Sequence, residues 1–158
     1  MKKELLQEYT ARVTQDNRSQ LVVTIYDIIL TSLEDGRAAF DGQDEEEFRR
    51  SLERAQALVM ELVNALDFQY DISKELLSLY LFVNRRILHT LARHKIELLD
   101  GVDKVLINLR NAFEQVSRSD TSAPVMQNTQ KVYAGLTYGR GSDLSEVYQE
   151  QNNRGFQA

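Results

Sequence analysis

Apolar residues recur at helical spacing in four successive stretches, and one of these carries more apolar surface than a single buried face requires. In Asp71–Leu91, Ile72, Leu76, Leu79 or Tyr80, Val83, Ile87 and Leu91 form one stripe, while Leu77, Leu81 and Leu88 form a second. At about 100° per residue, the second stripe lies roughly 120° round the helix from the first. One stripe suits a bundle core. The other needs a cover or a partner.

The preceding chain reads the same way. Met1–Ser19 holds a short amphipathic piece (Leu5, Leu6, Tyr9, Val13) and then the polar run TQDNRS, in which Asp16, Asn17 or Ser19 suits a helix cap. A helix is predicted from Gln20 to Phe40, with Val22, Ile25 or Tyr26, Ile29, Leu33 and Phe40 on one face and Leu21, Ile28 and Leu30 widening it. Asp41–Gln43 is a turn. In DEEEF, Asp44 and Glu47 have the spacing of a capping box, and the acidic run sits where the helix dipole favours it. A metal site is the alternative for that run; a solvated helix start is the simpler reading. Phe48, Leu52, Ala55, Val59, Leu62 and Leu66 then step 4-3-4-3-4, the spacing of a bundle seam.

Asp67–Asp71 (DFQYD) is a short connection with Asp71 as the predicted cap, and short connections make neighbouring helices antiparallel. The helix that follows is predicted to end near Arg93–Lys95. A fourth spans Glu97 to Ser117, with Leu99, Val102, Leu106, Leu109, Phe113 and Val116 on its main face and Leu98, Val105 and Ala112 on a second. Gly101 inside this helix would cost about 1 kcal/mol against alanine. Arg118–Pro124 (RSDTSAP) reads as a linker. In the tail beyond it, Val125–Tyr133 suits a short helix, and Asp143 and Glu146 suit caps of another through Gln151. The resulting organisation is all-α: an antiparallel up-down four-helix bundle with an N-terminal cap segment over 1–117, a linker over 118–124, and a tail over 125–158 packing on the bundle or a neighbour.

Composition narrows the function. With 19 basic against 24 acidic residues, the net charge is −5, which disfavours nucleic acid because phosphate contacts need a basic patch. There is no cysteine, which removes thiol catalysis and cysteine-ligated metals and fits a reducing compartment. No secretory signal is evident, and the apolar runs LVVTIYDIIL and LLSLYLFV are too short to span a bilayer. A cytoplasmic protein with no membrane insertion is therefore expected. The two histidines, His89 and His94, stand five apart and do not share a helix face; no glutamate lies three residues before either, as a ferritin-like di-iron site would need. His89 in HTLAR is a weak match to a phosphotransfer histidine, lacking the lysine and glycine of that pattern. No phosphate loop and no nucleophile–base pairing is present. No cofactor, no metal and no enzymatic activity are expected, and the spare apolar stripes point to a partner helix laid in a groove.

Taken together, these stretches resemble the FliS family of flagellar export chaperones. The resemblance rests on Tyr9, on SQLVVTIYDIIL with Tyr26 and Asp27, on NALDF at Asn64–Phe68, on LYLFVNRRIL at Leu79–Leu88 and on LRNAF at Leu109–Phe113, in that order over Tyr9–Val116. The family often has Thr-Ala-Ser-Pro where this chain has Asp16-Asn17-Arg18-Ser19, and tryptophan where Phe113 stands. The resemblance implies a four-helix bundle that binds the disordered C-terminal segment of flagellin in the cytosol, prevents premature polymerisation and hands the subunit to the export gate. Tyr9 and Val13 would then be a lid or contact element. Tyr26, Leu77, Leu81, Asn84, Arg85, Leu88, Leu98 and Val105 would complete the partner-binding set. Other flagellar export components are further candidate partners. The alternative is a non-enzymatic bundle that homodimerises or binds another cytosolic protein through the same stripes.

Overall fold

The computed structural model describes residues 1–126, and these fold into helices with no strand among them. Helix α1 spans Lys3–Gln15, α2 Arg18–Asp41, α3 Glu45–Asn64 and α4 Ile72–Arg93; a short 3-10 turn at Ile96–Leu99 precedes α5, Val102–Ser119. None of the described helices is long and apolar enough to cross a membrane. The helices expected in the tail lie outside the described residues.

Local chemistry sets the helix ends. Among the three capping candidates before α2, Asn17 takes the role: its side-chain oxygen accepts from the Gln20 amide at 2.9 Å, and the Gln20 side chain accepts from the Asn17 amide at 3.0 Å. Asp44 caps α3 by accepting from the Glu47 amide at 3.0 Å. Asn17 also donates to the Asp120 carbonyl at 2.9 Å, and the Ser19 hydroxyl donates to the Asp120 carboxylate at 2.6 Å. Hydrogen bonds from Ser122 and Ser19 hold the Asp120 carboxyl down at about 2. The α1–α2 corner is thus tied to the end of α5, and the Val125 amide donates to the Asp16 carbonyl at 3.0 Å.

The long helices pack with neighbours running in opposite directions. Between α2 and α5, Asn17 meets Asp120, Asp27 meets Arg110, and Arg37 meets Asp103. Between α2 and α3, the Phe40 and Phe48 rings lie 5.6 Å apart; deeper in, a Cβ on Gly36 would stand only 3.1 Å from Leu52 Cδ2. The α3–α4 pair is joined by Gln56 and Asn84, and by the Phe48–His94 ring contact across the bundle end. Tyr26, Ile29 and Leu33 of α2, Phe48, Leu52 and Val59 of α3, Tyr80, Val83 and Ile87 of α4, and Val102 and Leu106 of α5 are wholly or almost wholly buried. At about 1.5–3 kcal/mol for each fully buried aliphatic or aromatic side chain, this shared core, and not helix propensity, holds the helices together.

Four sequence expectations change. Gly101 is not inside a helix: it caps α5 in the left-handed conformation (φ +83), where glycine is at no disadvantage, so α5 starts at Val102 and Leu98–Leu99 belong to the 3-10 turn. Asp71 stands at the start of α4 but makes no side-chain capping bond; its own backbone is already helical, and the Ser73 hydroxyl bonds the Asp67 carbonyl instead. Ile72, placed on the core stripe of α4 by spacing, is 56% exposed, and of Leu79 and Tyr80 it is Tyr80 that is buried. Val116, placed on the main face of α5, is 55% exposed.

Candidate functional site

Helix α4 is the element with surplus apolar surface, and its two neighbours divide that surplus into two flanks. Leu77, Leu81, Asn84 and Leu88 step 4-3-4 along one side. The Asn84 carbonyl oxygen accepts from the Gln56 side chain of α3 at 3.2 Å, so this stripe runs along the α3 side. Leu77 and Asn84 are half-buried, whereas Leu81 and Leu88 are 41% and 44% exposed. On the opposite side lie Ile72, Leu79, Phe82 and Arg86. Arg86 donates to the Asp100 carbonyl at 3.3 Å and its guanidinium lies 5.9 Å from the centre of the Phe82 ring, so this second flank faces the start of α5. Arg85 stands between the flanks, exposed.

This geometry separates stripes that sequence spacing left together. Val105 of α5 faces α4, since Asp103 and Arg110 on the other side of α5 face α2. It therefore lies across from Leu79 and Phe82, on the flank away from Leu81 and Leu88. Both Val105 and Leu98 are half-buried, and Val105 packs against the core. Tyr26 needs a correction as a contact residue. It has no exposed surface, its hydroxyl lies 2.5 Å from that of Tyr80, and its ring centre is 5.7 Å from that of Phe113. Burial pushes both phenols above their ordinary pKa. Tyr26 supports the surface from beneath.

Helix α1 occupies a different face. The Tyr9 hydroxyl shares a 2.8 Å hydrogen bond with Thr31 and donates to the Asp27 carbonyl at 3.4 Å. Arg12 pairs with the Asp27 carboxylate at 2.9 Å, and Arg110 of α5 donates to the other oxygen at 2.7 Å while also meeting Glu114. The Asp27 hydrogen bond holds Arg110 protonated above its ordinary pKa. Val13 is half-buried. Beside Tyr9, an open cleft of about 490 Å³ reaches Leu30, Arg37 and Ile107. Tyr9 and Val13 thus sit over α2, next to α5, while the Leu81 stripe lies on the far side of the bundle.

Asp27 was missed as a site residue, although one signal was available: it is the lone acid in LVVTIYDIIL. Its two arginines come from segments far apart in sequence, which no local pattern reveals. Asp27→Ala is expected to free α1. Hydrogen bonds to charged groups contribute about 1.5–3 kcal/mol each, so backbone amides of α1 should exchange with solvent roughly tenfold faster or more, while those of α3 stay protected. Hydrogen exchange by mass spectrometry reads this directly, with Arg12→Ala isolating the α1 half of the contact. Unchanged exchange over α1 would show that Asp27 does not hold it.

Among the described residues, no three histidine, aspartate or glutamate side chains converge as metal ligands. His89 is exposed, and His94 ends α4 with its ring 5.0 Å from both Phe40 and Phe48. The family model described as flagellar protein FliS matches residues 1–120. No curated protein matches the chain.

Proposed function

The chain belongs to the FliS family of flagellar chaperones, and from that premise we propose that it binds the disordered C-terminal segment of flagellin in the cytoplasm, keeps it from polymerising early and hands it to the export machinery. In this reading α2 to α5 serve as an antiparallel up-down four-helix bundle, and the client folds into helices on its surface. The work is capture and release, without bond chemistry. The observation that carries the reading is the exposed apolar surface of α4.

Ordering a disordered client costs about 2–5 kcal/mol, more than one fully buried leucine returns at about 1.5–3 kcal/mol. Several apolar contacts are therefore required. Leu77, Leu81 and Leu88 provide one row, with Asn84 and Arg85 beside them to bond client backbone or carboxylates. Val105 and Leu98 border the other side of α4, and Tyr9 and Val13, on the far side over α2, act as a lid or contact element where the client continues round the bundle. Titration of the full chain with the C-terminal peptide of its host's flagellin tests this. Saturable binding is expected, with a gain in peptide helicity and a negative heat-capacity change. Absence of heat and of helicity gain at high micromolar peptide would remove flagellin as the client.

A further inference from the structure

The C-terminal half of α4 is basic and free of acids. From Leu76 to Lys95 there is no aspartate or glutamate, in a protein whose acids outnumber its bases 24 to 19. The same stretch contains Arg85, Arg86, Arg93, Lys95 and both histidines. Elsewhere Arg12, Arg37, Arg50, Arg54 and Arg110 each meet a carboxylate, whereas Arg18, Arg49 and Lys104 form no ion pair among the described residues. Among the described residues, Arg85, Arg86, Arg93 and Lys95 form no ion pair. The helix dipole accounts for basic residues in the last turn, Arg93 among them, but its effect fades within that turn and does not reach Arg85 two turns earlier.

Arg85, His89 and Arg93 step by four along one line of the helix, and all three are exposed. Leu81 and Leu88, also exposed, lie beside Arg85, four and three residues from it; Arg93, five residues past Leu88 and seven past Arg86, stands on the Phe82 side of the line. An apolar row bordered by an unpaired cation, on a helix with no acid from Leu76 onward and with Glu45 of α3 meeting only His94 at its end, complements a helix that carries leucines on one stripe and carboxylates along its edge. We propose that this face docks an amphipathic helical segment whose Asp and Glu side chains flank its apolar stripe, with Arg85 receiving the carboxylates beside Leu81 and Leu88. The inference rests on α4 being the client-docking helix and adds the charge of what docks there. A peptide fits better than an anionic membrane surface. The leucines, 41% and 44% exposed, are seated beside α3 instead of protruding as wedges.

Three amidated peptides of about 18 residues, sharing one leucine stripe and carrying glutamate, glutamine or lysine along its edges, test the charge separately from the apolar contact. Each is titrated against the full chain by fluorescence anisotropy at about 50 mM and about 500 mM salt. The glutamate peptide should bind about tenfold more tightly than the lysine peptide at low salt, with the gap closing at high salt. Arg85→Glu should reverse that order; the side chain is exposed, so the thermal melt should be preserved. If the glutamine peptide binds and Leu81→Asp abolishes that binding, yet glutamate gives no advantage, the charge inference falls while apolar docking stands. If none of the peptides binds, both fall. Variant-sensitive binding to phosphatidylglycerol vesicles without binding of the glutamate peptide would overturn the proposal in favour of a membrane surface.

Discussion

Tyr26→Ala is expected to be the most damaging single substitution in the bundle, lowering stability by about 3–5 kcal/mol. The ring is wholly buried and touches α4 through Tyr80 and α5 through Phe113, so its removal opens a cavity where three helices meet. The loss also strands the Tyr80 hydroxyl, whose partner at 2.5 Å is the Tyr26 hydroxyl. The polar part can be measured by itself. Tyr26→Phe or Tyr80→Phe alone leaves one buried hydroxyl unsatisfied, at about 1–3 kcal/mol. The double Tyr→Phe variant leaves none and should cost clearly less than the sum of the singles. Urea unfolding of the four proteins, with a common slope, gives the cycle. Strict additivity would mean that the two hydroxyls do not depend on each other.

Leu81→Asp combined with Leu88→Asp should remove capture of the flagellin C-terminal peptide with little effect on folding. Both side chains are nearly half exposed, so the unfolded chain gains little advantage from their replacement. In a complex they would be covered, and each aspartate would place an unpaired carboxylate in a desolvated contact. Central contacts of this kind carry about 2 kcal/mol or more apiece, so affinity should fall by roughly a hundredfold or more. Calorimetry reads the affinity, and a thermal melt serves as the folding control. A matching pair on the opposite flank, Leu79→Asp with Phe82→Asp, reports whether the client crosses the outer face of α4 or stays beside α3. Peptide affinity that survives Leu81→Asp with Leu88→Asp would take the α3 side of α4 out of the binding surface.

Much of the fold is legible from spacing. Phe48, Leu52, Ala55, Val59 and Leu62 of the predicted seam are buried, while its last member, Leu66, lies half-buried past the end of α3; the start of α3 follows from Asp44, and that of α2 is narrowed to Asp16, Asn17 or Ser19. These features are local: capping bonds and helix faces are set by residues three or four positions apart. The family resemblance was likewise carried by short ordered stretches. The surplus on α4 was also visible as two stripes on one helix.

Which way those stripes point was decided only by the tertiary structure. A helical wheel has no origin until its neighbours are placed. The Gln56–Asn84 and Arg86–Asp100 bonds put the Leu81 row beside α3 and the Leu79–Phe82 row toward α5. That left Ile72 outside the core, chose Tyr80 over Leu79 and put Tyr26 fully inside. The Asp27 contact joins Arg12 and Arg110 across 15 and 83 positions of chain, and no periodicity encodes such a meeting. Gly101 shows the same limit at short range: helical spacing runs through it without interruption, and only its left-handed backbone shows that the chain turns there. Sequence periodicity fixed which faces are apolar. Packing fixed which of them remain open to a partner, because burial is a property of pairs of elements and not of one helix.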